Sequence, residues 1–312
     1  MRKINILIAG CGGDIGQSIA KVLKSNSHIS RLIGTDLNND HAGVFLFDEC
    51  FTLPRCTDTN YLDRLKDLVL ANDIDVIIPV SESEIRFFFE NKCRNSLSAK
   101  VLLVNDEALS VGLDKLETAL FLEKNNLNYP VTYLYEGNQH LAYPFIAKSR
   151  TGSGSKNVFL VEDETDLNYL KDKKQGFIIQ EYLPNESEEY TCGLFRSSNG
   201  DVRHITFRRT LMGGFSGYGE VVIHAEIDKL LVSIANHLGL IGSINVQLRF
   251  NAKGPCVFEI NPRFSSTVRF RDLMGFHDVI WSLEDLLEEE ISSYSIVAAG
   301  KKFYKGFSEY ID

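Results

Sequence analysis

Between residues 243 and 250, apolar and polar side chains alternate without a break. Ile244, Val246, Leu248 and Phe250 fall on one face of an extended segment, and Asn245, Gln247 and Arg249 on the other. The turn Asn251-Ala252-Lys253-Gly254 follows. The next extended segment places Glu259, Asn261 and Arg263 on one face and Phe258 and Ile260 on the other. A hairpin aligns two such polar faces, so Gln247, Glu259 and Asn261 converge as oxygen donors with Arg263 just beyond. Oxygen donors carrying little fixed charge suit Mg²⁺, which keeps waters and shares phosphate oxygens with its substrate. A solvated hairpin face has the same alternation, but it would favour Lys, Glu and Thr over Asn and Gln.

Two glycine clusters invite a second chemistry. Phe145-Ile146-Ala147-Lys148 runs into Ser149-Arg150-Thr151-Gly152-Ser153-Gly154-Ser155-Lys156. A glycine- and serine-rich turn between strands can fold its N–H groups over phosphates while a strand lysine pairs with them; a flexible hairpin has the same composition. No GxxxxGK[ST] loop occurs in the chain. The earlier cluster, Gly10-Cys11-Gly12-Gly13-Asp14-Ile15-Gly16, has Asp36 at the end of the next strand, the outline of a dinucleotide fold. Its spacing is GxGxxxG, however, and Asp14 would repel an anion, so a tight βα turn is the better reading. Pro79-Val80-Ser81-Glu82-Ser83-Glu84 reads as a helix cap, with Ser81 capping and Glu84 three positions on.

These residues need a scaffold, and the chain supplies two rhythms. Up to about residue 104, apolar runs at 4–9, 32–35, 76–80 and 101–104 alternate with helical stretches at 15–23, 61–70 and 83–91, which implies a parallel sheet covered on both faces. From Asp114 the pattern becomes α+β. A capped helix covers 114–127, and strands fall at 143–148, 157–161, 176–183, 190–195, 202–209, 243–250 and 256–261. Helices fall at 163–170, 225–238 and 276–289, and a last strand near 302–308. The segment 213–219 reads as a mobile, glycine-rich loop. The change of rhythm puts a boundary near 105–114, giving a 1–110 domain and a 111–312 domain.

Composition narrows the function classes. The 312 residues carry a net charge of −9, which argues against nucleic-acid backbone binding. No apolar run reaches the roughly 18 residues of a membrane span. The N-terminus reads as a first strand rather than a signal peptide. The six cysteines, Cys11, Cys50, Cys56, Cys93, Cys192 and Cys256, include no CxxC pair and no Cys/His grouping with zinc spacing. Reduced thiols in the cytoplasm are the expectation, and a zinc or redox centre is disfavoured.

With these residues in hand, the chain resembles the ATP-grasp superfamily. It is most similar to the branch containing the carbamoyl-phosphate synthetase large subunit and the pyrrolysine-biosynthesis ligase. The carrying elements are Glu259-Ile260-Asn261-Pro262-Arg263 with Gln247 upstream, Asp114-Lys115, Lys148 before the glycine loop, and Gln180-Glu181-Tyr182-Leu183 followed by Glu189-Tyr190. The resemblance implies a Rossmann-like N-terminal domain ahead of an ATP-grasp fold, with a lid subdomain over 130–183 and a nucleotide and metal subdomain over 184–312. It implies ATP as substrate, with Lys115 and Lys148 on its phosphates and Gly152, Ser153, Gly154 and Ser155 closing over them. Gln180, Glu181, Tyr182 and Leu183 would receive the adenine, and Glu189 the ribose. One or two Mg²⁺ ions, or Mn²⁺, would sit on Gln247, Glu259 and Asn261. Arg263 would stabilise the transferred phosphoryl group, joined by Arg208 or Arg209; because Arg208 lies opposite Ile205 and Phe207, alternation favours Arg208. Arg269 and Arg271 fall where this branch often binds its carboxylate.

The activity so implied is ligation of a small carboxylate to an amine through an acyl phosphate, in a cytoplasmic enzyme compatible with a homodimer. A nucleotide-binding regulatory protein without turnover, and an NAD(P)-dependent oxidoreductase built on residues 10–16, are the alternatives the residues leave open.

Overall fold

The structure is a computed structural model. It describes residues 3–137, 141–152, 157–171, 176–184 and 188–311. In chain order the first unit is β1 (Ile4–Ala9), α1 (Asp14–Leu23), β2 (Ile29–Asp36), a 3-10 turn (Ala42–Leu46), β3 (Glu49–Thr52), α2 (Tyr61–Ala71), β4 (Val76–Pro79), α3 (Glu82–Glu90) and β5 (Lys100–Val101). The five strands form a parallel sheet in the order β3-β2-β1-β4-β5. Its apolar runs are buried on both faces, as continuous Ile/Leu/Val strands require. The chain runs from β1 to β2 on one side and later to β4 on the other. The strand order therefore reverses at β1, and the carboxyl ends there form a crevice. The edge strand β3, Glu-Cys-Phe-Thr, is short and lacks an apolar run, which is why the sequence pattern passes over it.

Two helices follow, α4 (Asp106–Gly112) and α5 (Lys115–Lys124). The first occupies the stretch expected to be a boundary. Gly112 at its end packs on Pro262, where a Cβ would come within 2.7 Å of the proline ring. A second sheet, in the order β6-β9-β7-β8, is antiparallel. Its members are β6 (Thr132–Leu134), β7 (Phe145–Ser149), β8 (Val158–Val161) and β9 (Phe177–Glu181), with α6 (Glu164–Lys171) between the last two.

The third sheet, β14-β13-β10-β11-β12-β15, is antiparallel across six strands. These are β10 (Glu189–Arg196), β11 (Val202–Met212), β12 (Phe215–Val222), β13 (Gly242–Asn251), β14 (Gly254–Asn261) and β15 (Lys302–Tyr304). Helix α7 (Ala225–His237) covers one face, packing with Tyr190, Cys192, Leu194, Ile244, Val246 and Leu248. The segment read as a mobile loop is β12: Gly213 and Gly214, both at positive φ, make a two-residue hairpin turn out of β11. Where one C-terminal helix is expected there are two, α8 (Val268–Leu273) and α9 (Asp278–Leu286), separated by Gly275 at φ +102°. Phe264, Val268, Val279 and Leu283 pack into the same core as β1 and α1. The crevice of the first sheet therefore abuts the end of β14.

Candidate functional site

A cleft of about 860 Å³ opens where the three sheets meet. Its floor is the polar face of β13 and β14. The register pairs Gln247 with Glu259 and Asn245 with Asn261, and on the other side of β13 pairs Gln247 with Thr191 and Arg249 with Glu189. The two polar faces therefore meet as the alternation requires. One detail differs: β14 carries a bulge, in which Leu248 pairs with Val257 and Gln247 with Glu259, leaving Phe258 as an extra residue. The bulge brings Phe258 to the cleft alongside Glu259 instead of turning it away.

Cations reach this floor from several elements. Asp114 caps α5, accepting from the N–H groups of Leu116 and Glu117, and also holds Arg150. This starts the helix at Lys115, whose Nζ lies 3.9 Å from Glu259 and donates to Gly152 O at 2.6 Å. Lys148 extends from β7, is buried, and donates to Phe258 O at 3.3 Å. Burial pulls its ammonium down to about pKa 8, with Glu259 opposing and Lys115 reinforcing the shift. Arg263 follows β14. Burial lowers its guanidinium too, against the pull of Glu259 and Glu82.

Gln180, Glu181, Tyr182, Leu183 and Glu189 line the same cleft. Glu181 is tied to residue 131 twice, its N–H donating to Val131 O and its carboxylate accepting from Val131 N. The Gln180 amide donates to Thr132. Arg249 spans the junction, donating to Leu183 O at 3.0 Å and to Glu189 at 2.8 Å. Glu189 is thus gripped between Arg249 and Arg209, which bonds its other oxygen at 2.6 Å. Burial raises the Glu189 carboxyl, but the two guanidinium groups outweigh it and hold it below the usual range. Oε1 accepts two bonds from Arg209, from Nε at 3.0 Å and Nη2 at 2.6 Å, while Oε2 accepts from Arg249. Ser153, Gly154 and Ser155 lie outside the described residues.

Three arginine expectations are corrected. Arg209, not Arg208, faces the cleft, where it also donates to Gln247 Oε1 at 2.9 Å. Arg208 lies at the surface between Glu188 and Glu220. The face of β11 bearing Ile205 and Phe207 is core at one end of the strand and cleft at the other, so the apolar side is also the site side. Arg271 is fully buried and paired with Asp278 at 3.0 Å. Arg269 pairs with Asp272 on the flank of α8. Neither is among the described residues that line the cleft. Asn245 and Arg249, placed on this face by the same alternation but given no role, belong to it.

The donor set fits a hard divalent cation. Gln247, Glu259 and Asn261 present oxygens on one face, the ligand type such an ion takes. The first glycine cluster also lines the cleft, but its features have local uses. Asp36 accepts from Gly12 N and Leu37 N, and a Cβ at Gly16 would stand 2.4 Å from Gly10 O. The expected cap is present: Ser81 accepts from Glu84 N.

Comparisons with known proteins agree with this geometry. The ATP-grasp domain profile matches residues 113–267, and the PylC-like N-terminal domain profile residues 6–102. The carbamoyl phosphate synthase large chain of Methanocorpusculum labreanum is 27% identical over 225 residues, covering 64% of this chain and 20% of the relative. A probable alpha-L-glutamate ligase of Shewanella halifaxensis is 24% identical over 213 residues, covering 62% and 46%. The chain thus spans a fifth to a half of these relatives. Among solved structures, an ADP complex of N5-carboxyaminoimidazole ribonucleotide synthetase superposes with a TM-score of 0.77 at 16% identity, over 96% of this chain and 81% of that one. The biotin carboxylase domain of the Hydrogenobacter thermophilus 2-oxoglutarate carboxylase, with MgADP and bicarbonate, gives 0.75 at 15%, over 94% and 72%. At these identities the likeness is one of fold.

Proposed function

Because the chain is an ATP-grasp protein, with its ATP-grasp domain at 113–267 behind a PylC-like N-terminal domain at 6–102, we propose that it is an ATP-dependent ligase. It joins a carboxylate to an amine as an amide, releasing ADP and phosphate. The observation that supports this best is the ring of cations around Glu259, with Lys115, Lys148 and Arg263 converging on the oxygen-donor face of β13 and β14.

In the first step a carboxylate oxygen attacks the γ-phosphorus of ATP and the bond to ADP breaks. In the second an amine nitrogen attacks the acyl carbon, phosphate leaves and the nitrogen gives up a proton. Such chemistry asks for charge neutralisation and alignment rather than a covalent nucleophile. On this reading Lys115 and Lys148 take the ATP phosphates together with Gly152, Ser153, Gly154 and Ser155. Gln180 to Leu183 take the adenine, and Glu189 turns Oε2 to the ribose. Arg263 and Arg209 face the transferred group. One or two Mg²⁺ or Mn²⁺ ions on Gln247, Glu259 and Asn261 would neutralise phosphate charge. The domain at 1–110 supplies the crevice wall for the small substrates, and the domain at 111–312 the nucleotide site. We further place the enzyme in the cytoplasm, as a monomer or homodimer. The test is ADP and phosphate release over a panel of carboxylates with amine acceptors. Turnover requiring both partners supports the reading; ATP binding without turnover on any pair would leave a regulatory protein instead.

A further inference from the structure

A cluster of metal-ligating side chains lies across three adjacent strands of the first sheet and has no part in the ligation chemistry above. Cys11 follows β1, Asp36 ends β2, Cys50 sits in β3, and His41 precedes the 3-10 turn. One ligand atom from each of Cys11, Asp36 and His41 lies within 4.8 Å of the other two. The Cys11 Sγ to His41 Nε2 distance is 3.8 Å, close to the roughly 3.5 Å that sulfur and nitrogen span on a tetrahedral zinc ion. The Cys11 and Cys50 thiols share a hydrogen bond, and both sulfurs lie about 3 Å from the point where Gly34 would carry a Cβ.

The backbone is shaped around the cluster. A Cβ at Gly34 would come within 2.9 Å of Cys11 Sγ, and one at Gly12 within 2.5 Å of the His41 ring. One at Gly43 would meet Cys11 O at 2.5 Å and His41 Nδ1 at 2.9 Å. Asp36 is oriented by the N–H groups of Gly12 and Leu37, as outer partners orient ligating carboxylates. Cys11 is fully buried, and the buried His41 Nδ1 has no hydrogen-bond partner among the described residues. A pair of core cysteines would not need an imidazole and a carboxylate beside it.

We propose that this cluster binds one thiophilic divalent cation of the Zn²⁺ class, held by Cys11, Asp36 and His41 with Cys50 as the second thiolate. Two thiols, an imidazole and a carboxylate are a zinc donor set, unlike the oxygen-only set on β13 and β14. Binding releases the thiol protons and changes no oxidation state.

The test uses the full chain, reduced and stripped with a chelator, with excess Mg²⁺ present throughout so that the oxygen site is filled. It is titrated with Zn²⁺ alone and, separately, with Co²⁺. The expectation is one equivalent of zinc and, with cobalt, a thiolate charge-transfer band with tetrahedral visible absorption. His41→Ala and Cys50→Ser, both at partly exposed positions that should tolerate change, should each weaken Zn²⁺ binding about tenfold or more; Cys56→Ser should not. Absence of the thiolate band, or zinc affinity unchanged in both His41→Ala and Cys50→Ser, would overturn the assignment. Neither result depends on ATP turnover.

Discussion

The ammonium of Lys115 stands 3.9 Å from the carboxylate of Glu259, although the two come from opposite sides of the cleft, the first turn of α5 and the end of β14. The pair places a fixed cation beside the oxygen donors of the hairpin. Replacing Lys115 by Met should lower turnover about 10²-fold, the scale for losing one preorganised electrostatic contact. The side chain is only 15 % exposed, and methionine keeps its unbranched apolar length, so the melting temperature should move little. Steady-state kinetics beside a thermal melt separate the two effects.

Arg208 and Arg209 should behave oppositely. Arg208→Ala removes surface ion pairs to Glu188 and Glu220 and should leave turnover within about twofold and the urea midpoint nearly unchanged. Arg209→Ala leaves the buried Glu189 with Arg249 alone and frees Gln247 Oε1. Breaking a buried pair costs about 3–5 kcal/mol, and the surviving Arg249 contact puts the expectation near about 3 kcal/mol. Urea titration of both variants decides the matter. Equal effects would mean that β11 does not present Arg209 to the cleft.

Gly193 faces Arg271 so closely that a Cβ would lie 2.4 Å from Nη1 and 2.7 Å from Cδ. Arg271 is fully buried and paired with Asp278, so it cannot swing aside. Gly193→Ala should therefore destabilise by about 1–3 kcal/mol through overpacking. A lower urea midpoint at unchanged slope would show it.

Glu84 gives a pH signature. Burial raises its carboxyl above the usual range, while hydrogen bonds from Ser81 and Tyr61 oppose the shift. The folded state holds this proton more tightly than the unfolded chain. The stability it contributes is therefore complete below the unfolded value of 4.5 and is lost as pH rises through the raised folded value. Glu84→Gln, neutral at every pH, should gain melting temperature relative to the parent as pH is raised from 4.5 towards 8. A constant offset between the two would contradict this account.

The hairpin that carries the site was legible because strict alternation and a four-residue turn fix which side chains share a face. The bulge at Phe258 was not, since nothing in Val-Phe-Glu marks where one residue escapes pairing. Arg208 and Arg209 were exchanged because alternation gives two faces but does not say which one becomes the cleft. Strand β12 was hidden by Gly217 and Gly219, which read as loop. A Cβ at Gly217 would press on Met212, and one at Gly219 on Phe303. The cysteine and histidine cluster has no local spacing at all, because only the pairing of β1, β2 and β3 brings residues 11, 36, 41 and 50 together.

The most direct measurement is Mg²⁺-dependent ATP binding by calorimetry, comparing the parent chain with the Glu259→Ala, Asn261→Ala double variant. Mg²⁺ should strengthen binding to the parent, and the double variant should lose this enhancement together with ADP release. Equal Mg²⁺-dependent binding and turnover in both proteins would contradict the metal assignment.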